Sequence, residues 1–216
     1  NVAQVSAFTN LTTLYLSGNS ISDLTLVQTL RHLTSLTLCS NFVSDLSPLT
    51  GLTNLCDLGL SWNPVTNHEV LVECTNLASL WLDGNSISNL SFMQSLTRLN
   101  ALGLRHNRLS DLFALGGLTN LTALHADRNR LTDVAVLQNL PLLSRVRLVG
   151  NSLDLSDGSA AVTLIQNLQS RGVNVEYLPQ NQPPVISVAP HWFMAANATS
   201  VLRFFVSDET TPGDRL

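Results

Sequence analysis

A histidine, an aspartate and two arginines crowd into the heptapeptide LHADRNR, residues 124–130. The tetrapeptide RHNR, residues 105–108, repeats the same mixture upstream. Such residues occur in acid–base pairs, in metal sites and on recognition surfaces. Which of these chemistries applies depends on the elements that position the side chains, and the spacing of residues along the whole chain indicates those elements.

One sequence pattern recurs along the chain at a constant number of residues, which is the separation in sequence between Asn19 and Asn41. No insertion interrupts it. Leucines recur in the pattern L-x-x-L-x-L-x-x-N-x-I/L, and such a period indicates a repeat architecture. The asparagine of the pattern recurs at Asn19, Asn41, Asn63, Asn85, Asn107, Asn129 and Asn151.

The pattern predicts a short strand in every repeat, because the two leucines of L-x-L point to one face. One repeat cannot bury that face alone, so neighbouring repeats must stack into a parallel sheet over a leucine core. We expect the asparagine amides to form a ladder where the chain leaves each strand. An Asp or Asn four residues later should begin a short helical turn on the convex side.

These motifs resemble leucine-rich repeats, and the segment FVSDLSPLTGLTNL, residues 42–55, is similar to bacterial internalin repeats. A similar unit occurs in a eukaryotic phosphatase-regulating subunit. The resemblance covers roughly residues 1–178. It implies a right-handed α/β solenoid with a concave parallel sheet and short convex 3-10 turns. It also implies a scaffold that binds partners without catalysis or a cofactor, although the fold alone does not specify the partner.

The two ends of the chain depart from the period. The phase of residues 1–10 places the start inside a repeat, as expected of a fragment of a larger protein. Residues 153–178 predict a closing repeat with a helix that Ser156 or Asp157 caps and a last strand. Residues 179–184 read as a linker. Residues 185–216 resemble the opening strands of a bacterial immunoglobulin- or cadherin-like domain, which we expect to be truncated.

The residues beside the buried leucines should point out of the concave face. Trp81, Gly103 and His125 then fall side by side, and we expect Trp81 and His125 to wall a shallow depression. Exposed Trp and Arg are frequent hot spots of recognition. The predicted ligand-binding residues are Trp62, Trp81, Arg105, His106, Arg108, His125, Asp127, Arg128 and Arg130.

Other chemistry is less well supported by the sequence. His106, His125, Asp83 and Asp127 are possible metal ligands, but Arg105 and Arg128 would repel a cation, so we expect no metal. The three cysteines match no zinc pattern, and we expect free, at least half-buried thiols, with a Cys56–Cys74 bridge as the alternative. The net charge of −4 gives no reason to expect nucleic-acid binding. No apolar run is long enough to insert into a membrane.

The leading hypothesis is a non-catalytic recognition module of a larger secreted or cell-surface bacterial protein. Its concave face would bind a protein or a glycan, and its location would be extracellular. One alternative is an intracellular scaffold or regulatory subunit, which the resemblance of the tail disfavours. The other is an accessory domain of a multidomain enzyme.

Overall fold

The protein, described here by a computed structural model over residues 8–181, forms one parallel sheet of eight strands in chain order. Adjacent strands pair in the register of the repeat, so Leu14, Leu36 and Leu58 lie side by side. This is the predicted leucine-rich repeat solenoid. The strands are Thr13–Tyr15 (β1), Ser35–Thr37 (β2), Asp57–Gly59 (β3), Ser79–Trp81 (β4), Ala101–Gly103 (β5), Ala123–His125 (β6), Arg145–Arg147 (β7) and Asn174–Glu176 (β8).

The core lies behind the sheet and is built from the leucine columns. The central residue of every strand from β2 to β7 is at most 1% exposed. Each three-residue strand therefore buries one side chain and presents its two flanking positions on the opposite face, which we call the concave face. Stacking buries the leucine side chains that a single repeat would leave exposed to water.

Short 3-10 turns line the convex side, as predicted. Most follow an acid or amide that accepts a backbone N–H two residues later; Asp23 Oδ1, for example, accepts from Thr25 N at 2.8 Å. Such a contact satisfies a donor that the turn itself leaves unpaired. The turns are Thr25–Val27, Ser47–Leu49, His68–Glu73, Ser91–Ser95, Phe113–Leu115 and Ala135–Asn139.

The third repeat departs from this scheme. Asn67 does not cap its own turn but accepts from Leu46 N at 2.8 Å and donates to Asp45 at 2.6 Å. His68 occupies a position that leucine fills in neighbouring repeats, and its ring stacks on Phe92 with centroids 5.6 Å apart. Its Nε2 is buried and has no hydrogen-bond partner within the part of the chain that the structure describes. Burial lowers the pKa of His68, so the ring is neutral at pH 7.

The recurring asparagines bridge consecutive repeats through both ends of their amides. Asn129 Nδ2 donates to Leu104 O of the preceding repeat at 2.8 Å, and its Oδ1 accepts from Leu109 N at 3.0 Å. Among residues 8–181, Asn19 is exposed and bonds only within its own repeat. In that same range Asn85 Oδ1 is buried without a donor. The remaining members, Asn41, Asn63, Asn107, Asn129 and Asn151, are all buried.

The last repeat contains a longer helix, Ala160–Ser170 (α1), which leads into β8. Ser159 caps it rather than Ser156 or Asp157, because the Ser159 hydroxyl accepts from Val162 N at 3.2 Å. Gln180 then takes the place of a ladder asparagine: it is 3% exposed and donates to Leu148 O at 3.0 Å. Residues 179–181, predicted as linker, therefore pack with the repeats. The predicted immunoglobulin-like segment, residues 185–216, lies outside the described residues.

Candidate functional site

Two rows of aromatic side chains cross the concave face. The first row runs through the ends of β4, β5 and β6, where Trp81 pairs with Gly103 and Gly103 pairs with His125. The second row lies where the chain leaves the strands, at Trp62, Gly84 and His106, which again occupy equivalent positions in successive repeats. The repeat thus builds the same Trp–Gly–His sequence twice in space, although no such tripeptide exists in the chain.

In the first row the indole fills the space that the glycine leaves. A Cβ placed on Gly103 would lie only 2.5 Å from Trp81 Cε3. The Trp81 and His125 ring centroids are 5.7 Å apart at 54°. The expected depression between these two residues is therefore wrong, because Trp81 lies across the glycine and reaches the histidine. The result is a half-buried aromatic ridge rather than a cavity.

The second row has the same construction. A Cβ on Gly84 would lie 2.3 Å from Trp62 Cε3, and the Trp62 and His106 centroids are 5.1 Å apart at 52°. Trp62 is 52% exposed, so much of its indole faces solvent. Aromatic pairs at these tilted angles contribute about 0.5–1.5 kcal/mol beyond burial. The contacts hold both rings against the sheet and leave their outer surface available.

The backbone of the second row is strained wherever the residue is not glycine. Trp62, His106 and Arg128 have φ values of 59°, 52° and 53°, in the left-handed region. This geometry turns each backbone N–H onto the next repeat; Arg128 N donates to Val149 O at 2.7 Å. Left-handed conformations cost non-glycine residues about 1–3 kcal/mol each. Glycine adopts the same region without that cost at Gly18, Gly84 and Gly150.

Asp127, one of the predicted ligand-binding residues, is buried. It is 6% exposed and lies between two arginines, with Oδ2 at 3.0 Å from Arg105 Nε and 3.2 Å from Arg147 Nε. The Arg105 contact lacks hydrogen-bond geometry and is therefore Coulombic. Asp127 Oδ1 also accepts from Val149 N at 3.3 Å. These contacts occupy the carboxylate, so Asp127 positions two arginines.

Asp83 has a comparable structural role in an earlier repeat. Its Oδ1 accepts from the backbone N of Arg105 at 2.8 Å, which satisfies a donor at the exit of β5. Burial raises the pKa of Asp83, while the hydrogen bond from Arg105 opposes that shift. Asp83, Arg105 and Asp127 thus connect adjacent repeats, and both carboxylates are engaged within the protein.

Both histidines of the rows favour the neutral form. Burial, followed by the positive charge of Arg105, lowers the pKa of His125. Arg105 Nη2 lies 3.0 Å from His125 Nδ1, and a guanidinium can only donate, so His125 Nδ1 accepts and its proton resides on Nε2. Burial, followed by Arg128, lowers the pKa of His106. The two imidazoles therefore act at pH 7 as neutral, aromatic groups.

The other predicted arginines form an exposed group that we call the rim patch, consisting of Arg108, Arg128 and Arg130. Arg108 and Arg130 directly follow the ladder residues Asn107 and Asn129. The ion pairs within residues 8–181 join Arg105 to Asp127 and Arg147 to Asp127 and Glu176, so no carboxylate pairs with the rim patch there.

Three residues that shape this surface were absent from the predicted set. Arg147 follows His125 in the first row and joins Asp127 to Glu176, with Nη1 at 2.9 Å from Glu176 Oε2. Gly84 and Gly103 admit the two indoles. A signal for both glycines was present, because each occupies the position of a tryptophan in the preceding repeat. That each indole packs over the next glycine depends on the rotamers of the tryptophans, which the spacing of residues does not give.

Within residues 8–181, no group of three His, Cys, Asp or Glu side chains is placed to hold a metal ion. Cys39, Cys56 and Cys74 are free thiols, with Cys74 buried, so the alternative Cys56–Cys74 bridge is wrong. Burial raises the pKa of Cys74 to about 11, which keeps it protonated at pH 7. In the same range, no helix combines the length and apolarity that crossing a bilayer requires.

Comparison with known proteins agrees with the repeat architecture. The family described as leucine-rich repeats (two copies) matches residues 9–51. The chain is similar to an internalin C2 of Listeria monocytogenes, with 26% identity and a TM-score of 0.69, over 81% of this chain and 76% of that one. It is also similar to InlF, an internalin of the same organism, with 25% identity and a TM-score of 0.69, over 87% and 52% of the two chains.

A leucine-rich repeat protein of Leptospira interrogans is similar as well, with 25% identity and a TM-score of 0.72, over 81% of this chain and 45% of that chain. The chain therefore spans about half the length of the two larger structures. No curated protein matches it significantly. The fold is internalin-like, and folds of this kind typically serve as protein-binding modules.

Proposed function

We propose that the chain is a non-catalytic recognition module of a larger secreted or cell-surface bacterial protein. Its concave face binds a protein ligand through the two aromatic rows and the arginines beside them. The likeness to the Listeria internalins supports both the recognition role and the extracellular location. The intracellular and enzyme-associated alternatives would place the same face in contact with a different partner.

The observation that carries this proposal is the pair of indoles on an open sheet face. An exposed tryptophan contributes little to folding, and clustered exposed aromatics mark interaction sites. Trp62 is 52% exposed and also occupies a left-handed backbone position, where glycine would fit without strain. The exposed indole and the left-handed backbone conformation both disfavour tryptophan at this position, and a binding role accounts for its presence.

A glycan is the second candidate, and the exposed indole favours it. Flat aromatic faces suit the apolar faces of sugar rings. Trp62 lies against Gly84 and is 52% exposed, and the half-buried Trp81 lies against Gly103. The rim patch beside them adds donors for hydroxyl or carboxylate oxygens.

The test is to pan the purified protein against surface-protein and glycan arrays, and to compare Trp62→Ala and Trp81→Ala with the wild type. Phe113→Ala is the matched control, because Phe113 is 66% exposed but belongs to a convex 3-10 turn. Circular dichroism verifies that each variant is folded.

We expect each tryptophan variant to lose about 30-fold in affinity, the loss typical of a hot spot of about 2 kcal/mol. The Phe113 variant should bind as the wild type does. Equal binding by all four proteins would show that the concave face is not the binding surface.

A further inference from the structure

The rim patch is an accumulation of positive charge on a protein whose net charge is −4. Arg108, Arg128 and Arg130 are exposed and have no anionic partner among residues 8–181. The nearest concave-face acids are engaged elsewhere, since Asp127 binds two other arginines and Asp83 accepts from Arg105 N. Nothing in the described repeats neutralises this patch.

The backbone fixes how closely these arginines lie. Arg108 N donates to Ile87 O at 2.7 Å and Arg130 N donates to Leu109 O at 2.8 Å, so the two occupy equivalent positions in adjacent repeats. Adjacent repeats are about 4.8 Å apart at the sheet. Arg128 precedes Arg130 by two positions, and its Cγ would lie 3.2 Å from a Cβ on Gly150. Three positively charged side chains thus extend from two adjacent repeats, and their mutual repulsion disfavours folding unless an anion offsets it.

The patch is short, and the column that contains Arg108 and Arg130 is uncharged on both sides of them. Ser86 precedes Arg108 in the same column and Ser152 follows Arg130, so the positive charge extends over two repeats only. A long polyanion with evenly repeated charge binds best to a continuous positive track. A patch two rungs wide instead matches a ligand with two or three carboxylates, such as neighbouring acidic side chains of an extended peptide. Guanidinium groups also match carboxylates in bidentate geometry.

The apolar neighbours of the patch give the ligand a direction. Phe42 and Trp62 are 62% and 52% exposed and lie toward the N-terminal repeats. Trp62 touches His106, which is in turn adjacent to Arg128 in the same exit column. The surface therefore changes from aromatic to basic across repeats two to six.

We infer that the rim patch binds the carboxylates of an acidic polypeptide segment. That segment runs across the repeats and places its apolar end on Trp62 and Phe42. The inference rests on the proposed function and specifies the chemistry of its protein ligand. A polyanionic glycan is the competing class of ligand, and its binding is an outcome of the test.

The probe is a fluorescein-labelled peptide with glutamate at every second position and two phenylalanines at one end. Fluorescence anisotropy gives its Kd for the wild type, for Arg108→Gln/Arg130→Gln and for Arg31→Gln/Arg98→Gln. The last variant removes the same charge from the turns that precede β2 and β5, away from the concave face. The same measurements use two further ligands, the glutamine analogue of the peptide and heparin, and one further variant, Trp62→Ala.

We expect the rim variant to bind the peptide at least about tenfold more weakly, since charge-assisted hydrogen bonds are lost. The control variant should change less than about twofold, because distant charges are screened. The glutamine peptide should bind weakly to every protein. The affinity of the wild type should fall with salt more steeply than that of the rim variant.

Three results would overturn the inference: equal losses in the rim and control variants, no binding of the peptide to the wild type, or rim-dependent binding of heparin alone. The proposed function is tested separately through the tryptophans in the array experiment. It survives if array ligands depend on Trp62 and Trp81 while the acidic peptide does not depend on the rim patch.

Discussion

Replacing Asn107 with alanine should lower the free energy of unfolding by about 4 kcal/mol, because this one amide joins two repeats through several buried bonds. Its Nδ2 donates to Leu82 O at 2.9 Å and to Leu104 O at 3.0 Å. Its Oδ1 accepts from Ile87 N at 2.9 Å and from Asn85 N at 3.2 Å. The residue is only 7% exposed, so water does not readily replace these bonds.

The magnitude depends on which backbone groups keep another partner. Leu104 O retains the amide of Asn129 at 2.8 Å after the substitution. Leu82 O, Ile87 N and Asn85 N have no second partner among the hydrogen bonds of the described residues. Leaving a buried group unpaired costs about 1–3 kcal/mol, so three groups cost about 3–9 kcal/mol.

Urea denaturation followed by circular dichroism measures this difference, and a thermal midpoint about 8–16 °C lower should accompany it. Asn19→Ala is the matched control. Asn19 is exposed and donates only to Leu16 O and Ser17 O of its own repeat, so its loss should cost less than about 1 kcal/mol. If the two alanine variants were equally stable, the ladder would not hold the repeats together.

Three further predictions concern single sites. Gly103→Ala should displace the Trp81 indole, because the new Cβ would meet it at 2.5 Å. The tryptophan fluorescence should change and the ligand affinity should fall. An unaltered fluorescence spectrum would show that the indole is not held against Gly103. His68→Leu should stabilise the protein by about 1–2 kcal/mol at pH 7, since it restores an apolar core position and removes an unpartnered nitrogen. Because the pKa of His68 is lowered in the folded state, the unfolded wild type binds this proton more readily than the folded protein below pH 6.5. The difference in unfolding free energy between the variant and the wild type should therefore widen in urea titrations from pH 7 to pH 5. A constant difference would argue against burial of His68. Cys74, 2% exposed with a pKa raised to about 11, should react with a thiol reagent only after unfolding, whereas the other two thiols react in the native protein; three equally fast thiols would contradict this.

How far the candidate site was predictable is clearest from Trp81 and Asp127. The period placed Trp81 opposite Gly103 and His125, and the strand pairing has this register. Spacing did not reveal that the indole lies across the glycine, because rotamers depend on neighbours from other repeats. Asp127 was placed on the correct face and nevertheless proved buried, since two long arginine side chains cover it.

The helix cap and the chain end illustrate the same limit. Helical spacing predicted a helix in the closing repeat, but the choice of Ser159 over two nearby polar residues depended on the local path of the backbone. Gln180 is one carbon longer than asparagine and still takes over the ladder contact to Leu148 O. No periodic signal marks it, because the closing repeat is longer than the others and carries Gln180 past the position where the next asparagine would fall.

The repeat pattern is sufficient to specify the solenoid, its register and the face on which each side chain begins. A strict period allows only stacking that keeps every leucine in the core and every asparagine at the same bend. The tertiary structure alone decided which exposed groups neutralise one another. It pairs Arg105 and Arg147 with Asp127 and leaves Arg108, Arg128 and Arg130 without a carboxylate among the described residues. The reason is that side-chain reach and direction, unlike backbone position, are not periodic.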